Sequence, residues 1–126
     1  MVWAWGANEE GQLSLGVKEN ALLPHAIRVN RLAGPVSIQM VSCSRQFTAS
    51  VTTDGRCLMV GKNLVGRLGI EGLQMTHLMR FRPIQMFGGA DMRVKQVACG
   101  EFHTLALLES GLVYSWGGTL HGKLGR

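Results

Sequence analysis

The sequence predicts an all-β protein assembled from repeated units of short strands. Three observations carry this prediction: blocks of sequence recur at a nearly constant spacing, apolar residues come in short runs with partial alternation, and the 126 residues include 17 glycines against 3 prolines. A period of tens of residues is typical of repeat architectures. The glycines lack the strict every-third-residue spacing of collagen, so we expect them in turns.

The repeat is the strongest of these signals. The segment Trp3-Ala4-Trp5-Gly6 returns as Leu58-Met59-Val60-Gly61 and again as Tyr114-Ser115-Trp116-Gly117, and each copy is followed by a Gly-x-Leu sequence beginning at Gly11, Gly66 or Gly122. A second block, residues 41–50, returns at 97–106. Both blocks recur with a spacing of 55 or 56 residues, which makes chance similarity a poor explanation.

Each unit is predicted to contain about four strands. Apolar runs over 38–43, 47–51 and 57–61 predict three of them, and Thr53-Asp54-Gly55 separates the last two as a hairpin turn. Glu109-Ser110-Gly111 is the corresponding turn of the next unit. The fourth strand is predicted just after Pro24 and after Pro83, over 26–29 and 84–86, with the proline at a strand start or edge. Only 72–79 has an ambiguous helical spacing.

Composition restricts the class of protein and its partners. Lys and Arg number 13 against 8 Asp and Glu, but this net charge of +5 is dispersed, which favours a mildly basic solvated surface over a dedicated nucleic-acid site. Charged residues make up only 17% of the chain, so we expect part of its surface to be covered. Three cysteines without a Cys-x-x-Cys pair, and no signal-peptide or membrane-length apolar run, predict an intracellular protein, nuclear or cytoplasmic.

The repeated residues resemble a known family. The segments 97–107, 111–117 and 8–13 are similar to the repeat of the regulator of chromosome condensation family. The resemblance covers nearly all of 1–126 as repeat 1 at about 1–53, repeat 2 at about 54–109 and a partial repeat 3 at about 110–126. It implies blades of a β-propeller, each a four-stranded antiparallel sheet, and a fragment that is incomplete relative to a seven-bladed ring.

Some positions depart from the family pattern. Ser14 and Ser44 stand where glycine is expected, Phe47 where histidine is expected, and Val60 where tryptophan is expected. These changes keep size or polarity only in part. We therefore expect local irregularity in the affected units and no change of fold.

The conspicuous repeated side chains are predicted to be architectural. We expect Cys43 and Cys99 to be buried in apolar strands, Trp5 and Trp116 to pack between blades, and His103 to be a core histidine bonded to neighbouring backbone. Gly122-Lys123 lacks the spacing of a nucleotide-binding loop. No catalytic pair, metal-ligand cluster or cofactor motif stands out, so no catalytic, cofactor or metal residue is predicted.

Two stretches outside the repeat pattern, 17–23 and 71–80, are the candidates for partner binding. Loops that vary on a constant scaffold are where an individual function is expected. The candidate residues are Lys18, Glu19, Gln74, His77 and Arg80. The apolar residues of these stretches fit either a partner contact or a loop packed against the next blade, and both interpretations remain open.

Two functional hypotheses follow. The first is a non-catalytic interaction scaffold, free-standing or attached to a catalytic domain such as a kinase or a ubiquitin ligase. The second, implied by the family resemblance, is guanine-nucleotide exchange on the small GTPase Ran with chromatin association, in which the propeller binds the nucleotide-free GTPase more tightly. An outright enzyme is disfavoured because no nucleophile is paired with a base.

Two units and a fraction cannot close a ring. We therefore expect apolar or unpaired strand groups on the outer blade sides, covered by further propeller blades or by self-association. The chain starts at a repeat motif and stops inside another, which suggests a partial chain.

Overall fold

The computed structural model describes residues 1–27, 29 and 37–126, and this part of the chain is built of short antiparallel strands. The strands are β1 (Val2–Gly6), β2 (Ala21–Ile27), β3 (Ile38–Cys43), β4 (Phe47–Thr52), β5 (Cys57–Lys62), β6 (His77–Pro83), β7 (Val94–Cys99), β8 (His103–Leu108) and β9 (Val113–Gly117). Two single 3₁₀ turns, Leu64–Gly66 and Leu120–Gly122, follow β5 and β9. The prediction of an all-β protein is confirmed.

The described residues form three sheets, and the middle one is a complete four-stranded blade. Its strand order is β3-β4-β5-β6, so every strand pairs with its neighbour in sequence. The first sheet, β1-β2, corresponds to the last two strands of such a blade, and the third sheet, β7-β8-β9, corresponds to its first three. The repeat boundary placed near 53 and 54 lies in the turn between β4 and β5, so sequence repeats and sheets are offset by half a blade.

The predicted hairpin turns are confirmed. The amide of Gly55 donates to the carbonyl of Thr52 at 3.0 Å, and the amide of Gly111 donates to that of Leu108 at 2.9 Å. Both glycines have positive φ, which a side chain rarely tolerates. These two short turns set the register of β4 on β5 and of β8 on β9.

The fourth strand of each unit begins earlier than predicted. β2 starts before Pro24 and includes 26–27 of the predicted 26–29, whereas β6 ends at Pro83 and the predicted 84–86 form a turn. Both are edge strands of their sheets, and an edge strand tolerates proline because half of its amides point away from the neighbouring strand. Within 26–29, Arg28 lies outside the described residues. The ambiguous stretch 72–79 contains no helix and leads into β6.

The core lies between the middle and third sheets. Buried apolar side chains from β4, β5, β7 and β8 form one cluster, which Phe87 joins from the connection after β6. The Phe87 ring meets Tyr114 edge-on at 5.6 Å between centroids and Trp116 at 5.9 Å. Trp116 therefore packs between neighbouring sheets, as predicted.

The first sheet differs from the other two because no described strand pairs with β1 on the side away from β2. Trp3 and Trp5 are 55% and 60% exposed, whereas Val60, at the repeat position of Trp5, is fully buried. The prediction that Trp5 is packed between blades is wrong for this structure. The side chain has no second sheet layer to cover it.

The cysteines also differ from prediction. Cys43 is exposed and Cys99 is half-buried, although they share a repeat position. Cys99 Sγ donates to Ser42 O of the second sheet at 3.4 Å, whereas Cys43 borders an open pocket together with Trp3 and Trp5. Burial raises the pKa of Cys57 to about 12 and that of Cys99 to about 11, which disfavours the nucleophilic thiolate form of both. Among the described residues, no helix has the length and apolarity needed to cross a membrane.

Candidate interaction surface

The loops after β1, β5 and β9 and the turns β3–β4 and β7–β8 lie at the same end of the sheets. We call this surface the loop edge, and it comprises residues 7–20, 44–46, 63–76, 100–102 and 118–126. Contacts between these segments join one unit to the next. Four of the five predicted partner-binding residues lie on the loop edge or at its border, and Arg80 lies a few residues inside β6.

A repeated linkage holds neighbouring units together at the loop edge. In the first two of the three Gly-x-Leu sequences, the middle residue donates to a carbonyl in a turn of the next sheet. Gln12 Nε2 donates to Arg45 O at 3.0 Å, and Arg67 Nη1 donates to Glu101 O at 3.4 Å. The backbone carbonyl of the same residue accepts a bond from the next sheet, at 2.9 Å from Thr48 Oγ1 and at 3.1 Å from Thr104 Oγ1. The repeat motif is thus a connector between blades.

Arg67 is the most constrained polar residue of the loop edge. Its side chain is fully buried, with Nε donating to Leu64 O at 2.8 Å and Nη1 to Gln46 Oε1 at 3.0 Å. Its guanidinium also lies 5.0 Å from the ring centroid of Phe102. Burial lowers the pKa of Arg67, while the Glu10 and Glu101 carboxylates oppose this effect. Arg67 has no exposed surface, and its hydrogen bonds join neighbouring blades.

Asn8 shapes the loop that carries Lys18 and Glu19. Its buried side chain donates from Nδ2 to Val17 O at 2.8 Å and to Glu19 O at 3.0 Å, and its Oδ1 accepts from the Leu13 amide at 3.0 Å. These bonds hold the backbone at both ends of Lys18. The Lys18 and Glu19 side chains are exposed.

His77 is engaged with the preceding unit. It begins β6, although a loop was predicted there, and its Nε2 contacts Glu10 Oε2, while Lys62 Nζ lies 3.6 Å from Glu10 Oε1. Partial burial raises the pKa of Glu10, but the hydrogen bond from His77 and the charge of Lys62 outweigh it, so the pKa is lowered overall. Glu10 is ionised at neutral pH and links the first and second sheets.

Arg80 lies across the same boundary, and both Arg80 and Gln74 are exposed. A Cβ added to Gly16 would lie 2.3 Å from Arg80 Nη2, and the Gly16 amide donates to Met79 O at 2.9 Å. The loop 7–16 therefore packs closely against β6. The structure brings His77 and Arg80 into the contact between units. Arg80 remains exposed there, as do Lys18, Glu19 and Gln74 on the surface.

His103 does not make the backbone hydrogen bond that was predicted. Its ring lies against Gly100, where an added Cβ would be 2.2 Å from the ring, and Nδ1 is buried without a hydrogen-bond partner in the described part of the chain. The Gly100 amide is already used, since it donates to the His103 carbonyl at 2.8 Å. No three His, Cys, Asp or Glu side chains among the described residues are grouped to hold a metal ion.

Comparison with known proteins agrees with this architecture. The family model described as the regulator of chromosome condensation (RCC1) repeat matches residues 1–51 and 54–107, and a second model of the same description matches 94–122. Together these matches cover most of the chain. They span the same segments that carry the linkage between units.

Relatives of known name are longer than this chain. The secretion-regulating guanine nucleotide exchange factor of Mus musculus is 37% identical over 99% of this chain and 26% of its own length. The ultraviolet-B receptor of Arabidopsis thaliana is 36% identical over 98% of this chain and 27% of its own length. A probable E3 ubiquitin-protein ligase of Homo sapiens is 32% identical over 98% of this chain and 12% of its length. The chain thus spans about a quarter or less of these relatives.

Solved structures share the fold. Human WBSCR16 superposes with a TM-score of 0.79 at 26% identity, covering 91% of this chain and 28% of that protein. Prp20p of Saccharomyces cerevisiae, whose structure was described with its binding to Gsp1p and histones, superposes with a TM-score of 0.79 at 20% identity over 98% of this chain and 30% of its own. With its sheets, its repeated linkage and these matches, the chain belongs to the regulator of chromosome condensation repeat family and consists of β-propeller blades.

Proposed function

We propose that this chain is part of a non-catalytic scaffold whose loop edge binds another macromolecule. The proposal rests on a difference between two groups of residues at the loop edge. The repeated residues are occupied in joining blades, whereas Lys18, Glu19 and Gln74 are exposed and do not belong to the repeat. Exposed side chains outside the repeat are free to be specific for one partner.

The exposed segments suit a protein partner. Val17 and Met75, next to these polar residues, are 47% and 51% exposed, so each loop offers an apolar side chain beside hydrogen-bonding groups. Protein interfaces combine these elements, an apolar centre and a polar rim. We place this scaffold in the nucleus or cytoplasm, free-standing or attached to a catalytic domain such as a ligase.

The test is partner retention by the full-length protein. A triple variant Lys18→Ala, Glu19→Ala and Gln74→Ala removes the exposed polar groups of both loops. The matched control is Lys95→Ala, Asp91→Ala and Gln96→Ala, which removes similar side chains from exposed positions outside the loop edge. We expect quantitative affinity purification to lose specific partners for the first variant only. Equal retention by both variants, each folded by circular dichroism, contradicts the proposal.

A second candidate function is guanine-nucleotide exchange on Ran with chromatin association. It is supported by the 37% identical mouse relative, which is named as an exchange factor, and by the fold shared with Prp20p. The net charge of +5 is compatible with acidic partners. In this mechanism the propeller binds nucleotide-free GTPase more tightly and so speeds nucleotide release.

Nucleotide release distinguishes the two functions. Purified Ran loaded with a fluorescent GDP analogue is mixed with the full-length protein at saturating concentration, and loss of fluorescence is followed. Faster release supports exchange, and an unchanged rate rejects it. Retention of a partner other than Ran, with an unchanged rate, supports the scaffold.

A further inference from the structure

Consecutive residues of the first unit hold both of the exposed loops, 17–20 and 71–76. For the first loop, Asn8 Nδ2 donates to two of its carbonyl oxygens, at 2.8 Å and 3.0 Å. The Asn8 amide donates to Asn20 Oδ1 at 2.7 Å, and Glu9 Oε1 accepts from Asn20 Nδ2 at 3.1 Å. The loop 17–20 is therefore held within its own unit by Asn8 and Glu9.

The next residue, Glu10, contacts the end of the second loop. Its Oε2 contacts Nε2 of His77, the residue directly after 71–76, and its Oε1 lies 3.6 Å from Lys62 Nζ. The other ring nitrogen of His77 lies 2.9 Å from Thr76 Oγ1, so the ring connects Glu10 to the last residue of the loop. Glu10 thus joins the first unit to the base of a loop in the second.

The two loops are close enough to lie under one partner. Asn8 and Glu10 are two residues apart, so their Cα atoms are separated by at most about 7 Å, and each holds its loop by a direct contact. A specific protein interface covers about 800 Å² of each partner, which corresponds to a patch about 30 Å across. A protein that binds 17–20 therefore also covers 71–76.

The charges beside these loops indicate the class of partner. Glu9, Glu19 and Glu71 are exposed, and so are Lys18 and Arg80. Carboxylates interspersed with the basic side chains repel the phosphates of a nucleic acid, whereas a protein surface can present complementary charges of both signs. A protein is the partner that this surface fits.

We infer that the loops 17–20 and 71–76 form one binding surface for a single protein partner, and that Glu10 is the positioning residue that fixes the second loop relative to the first. The inference rests on the proposed scaffold function and deepens it, because both loops then contact the same molecule. Loops that are fixed before binding lose less conformational entropy when the partner binds. Removal of the Glu10 side chain therefore weakens binding at 71–76 while Asn8 and Glu9 still hold 17–20.

The position of the loops can be measured without the partner. Nitroxide labels are attached through a ketone-bearing amino acid in place of Lys18 and Gln74 of the full-length protein, and pulsed electron paramagnetic resonance gives the distribution of distances between them. We expect one narrow distribution with Glu10 present and a distribution about twice as wide for Glu10→Ala. Glu10→Gln keeps an acceptor for His77 and should remain close to the wild type.

A photocrosslinking experiment tests whether one partner contacts both loops. A benzophenone amino acid replaces Lys18, Gln74 or, as a control, the exposed Asp91 outside the loop edge, and captured proteins are identified by mass spectrometry. We expect the same protein from the first two positions and not from the third. Glu10→Ala should lower the capture from position 74 about fivefold relative to that from position 18.

The matched control variant is Glu109→Ala. Glu109 pairs with Arg93 at 3.3 Å at the opposite end of the sheets, so its removal should change neither the distances nor the capture. If Glu10→Ala is unfolded by circular dichroism, His77→Ala removes the same contact from the other side and is expected to give the same result. Capture of different proteins from the two loops overturns the inference, and so do a distance distribution and a capture that the loss of this contact leaves unchanged.

The result is distinguishable from that of the proposed function. If partner retention depends on Lys18, Glu19 and Gln74 but Glu10→Ala leaves the distances and the capture unchanged, the scaffold function stands and the role of Glu10 is rejected. If Glu10→Ala broadens the distances but no partner is captured or retained, Glu10 positions the loop and the scaffold function is rejected.

Discussion

Arg67 shows how a single residue supports the contact between two blades. Burial of a guanidinium destabilises the fold unless its donors are bonded. Arg67 donates from Nε to Leu64 O and from Nη1 to Gln46 Oε1, its guanidinium contacts aromatic rings, and Nη2 has no hydrogen-bond partner in the described part of the chain. Glutamine occupies the same repeat position at Gln12, where it needs no charge to reach the next turn. The site therefore requires a donor to the next sheet, and the charge is secondary.

We predict that Arg67→Ala lowers the free energy of unfolding by about 2–4 kcal/mol, because it opens a cavity and leaves buried acceptors unpaired. Arg67→Gln should cost only about 1 kcal/mol, because the amide can still donate to Glu101 O as Gln12 does to Arg45 O. Urea unfolding followed by circular dichroism measures both. A glutamine variant as unstable as the alanine variant would show that the charge itself is required.

The Glu10 carboxyl is expected to make the stability of the fold depend on pH. Its pKa is lowered in the folded state by His77 and Lys62, despite the opposing effect of burial. A carboxyl with a lowered folded pKa adds stability above its unfolded pKa, and that stability is lost as the pH falls through the folded value. We expect Glu10→Gln to lower stability near neutral pH and to lie closer to the wild type in the acid range below the ordinary glutamate pKa. Thermal unfolding across pH measures this difference, and a constant difference contradicts it.

At the scale of elements, the strands joined by β-hairpin turns were predictable from the sequence. The last strands of the first two sheets, β2 and β6, were not. The runs at 38–43, 47–51 and 57–61 alternate and end at turn residues, so β3, β4 and β5 follow from local sequence. The outer strands β2 and β6 contain a proline and are half exposed, because they lie at sheet edges. Their pairing depends on the preceding strand, which local patterns do not report.

The link between the second and third sheets can be tested by a double-mutant cycle. The Arg67 carbonyl accepts from Thr104 Oγ1 at 3.1 Å and from Trp116 Nε1 at 3.0 Å. We expect Thr104→Val and Trp116→Phe to cost about 1 kcal/mol each, since either change leaves the carbonyl one bond. The double variant should cost about 1 kcal/mol more than the sum, because the buried carbonyl then has none. Additive values from urea unfolding contradict a shared acceptor.

At the scale of the whole molecule, the most consequential feature is the open side of β1. Gly61 and Gly6 share a repeat position and have φ of 114° and 108°. A Cβ on Gly61 would lie 2.4 Å from Gln46 O in the strand pair beside it, whereas a Cβ on Gly6 meets nothing within 4 Å. A comparison of alanine variants at the two glycines therefore tests whether another strand lies beside β1.

We predict that Gly61→Ala is more destabilising than Gly6→Ala. Both changes cost about 1–2 kcal/mol for the unfavourable φ, and Gly61→Ala adds about 1–3 kcal/mol for the steric clash. Urea unfolding in dilute solution measures the difference. If self-association covers β1, light scattering will show the wild type growing in mass with concentration and Gly6→Ala resisting that growth. A wild type that stays monomeric at high concentration contradicts the prediction of self-association.

The candidate binding residues were predictable only in part. Lys18, Glu19 and Gln74 were singled out because they depart from the repeat, and they are exposed. His77 and Arg80 were chosen on the same ground, yet they contact Glu10 and Gly16 of the preceding unit. Nothing in the local pattern links residues so far apart. The polar residue between the Gly and Leu of each repeat was a signal that could have identified Gln12 and Arg67 as connectors.

The sequence alone determined the all-β class, the repeat, the inner strands and the family, because turns, alternation and a fixed period are local or repeated properties of the chain. Tertiary structure alone decided which identical repeat positions are buried and which are open. Trp5 and Val60, Cys43 and Cys99, and Gly6 and Gly61 differ in exposure or contacts although their repeat positions match. Burial depends on whether a neighbouring strand or sheet is present, and that is a property of the assembled blades.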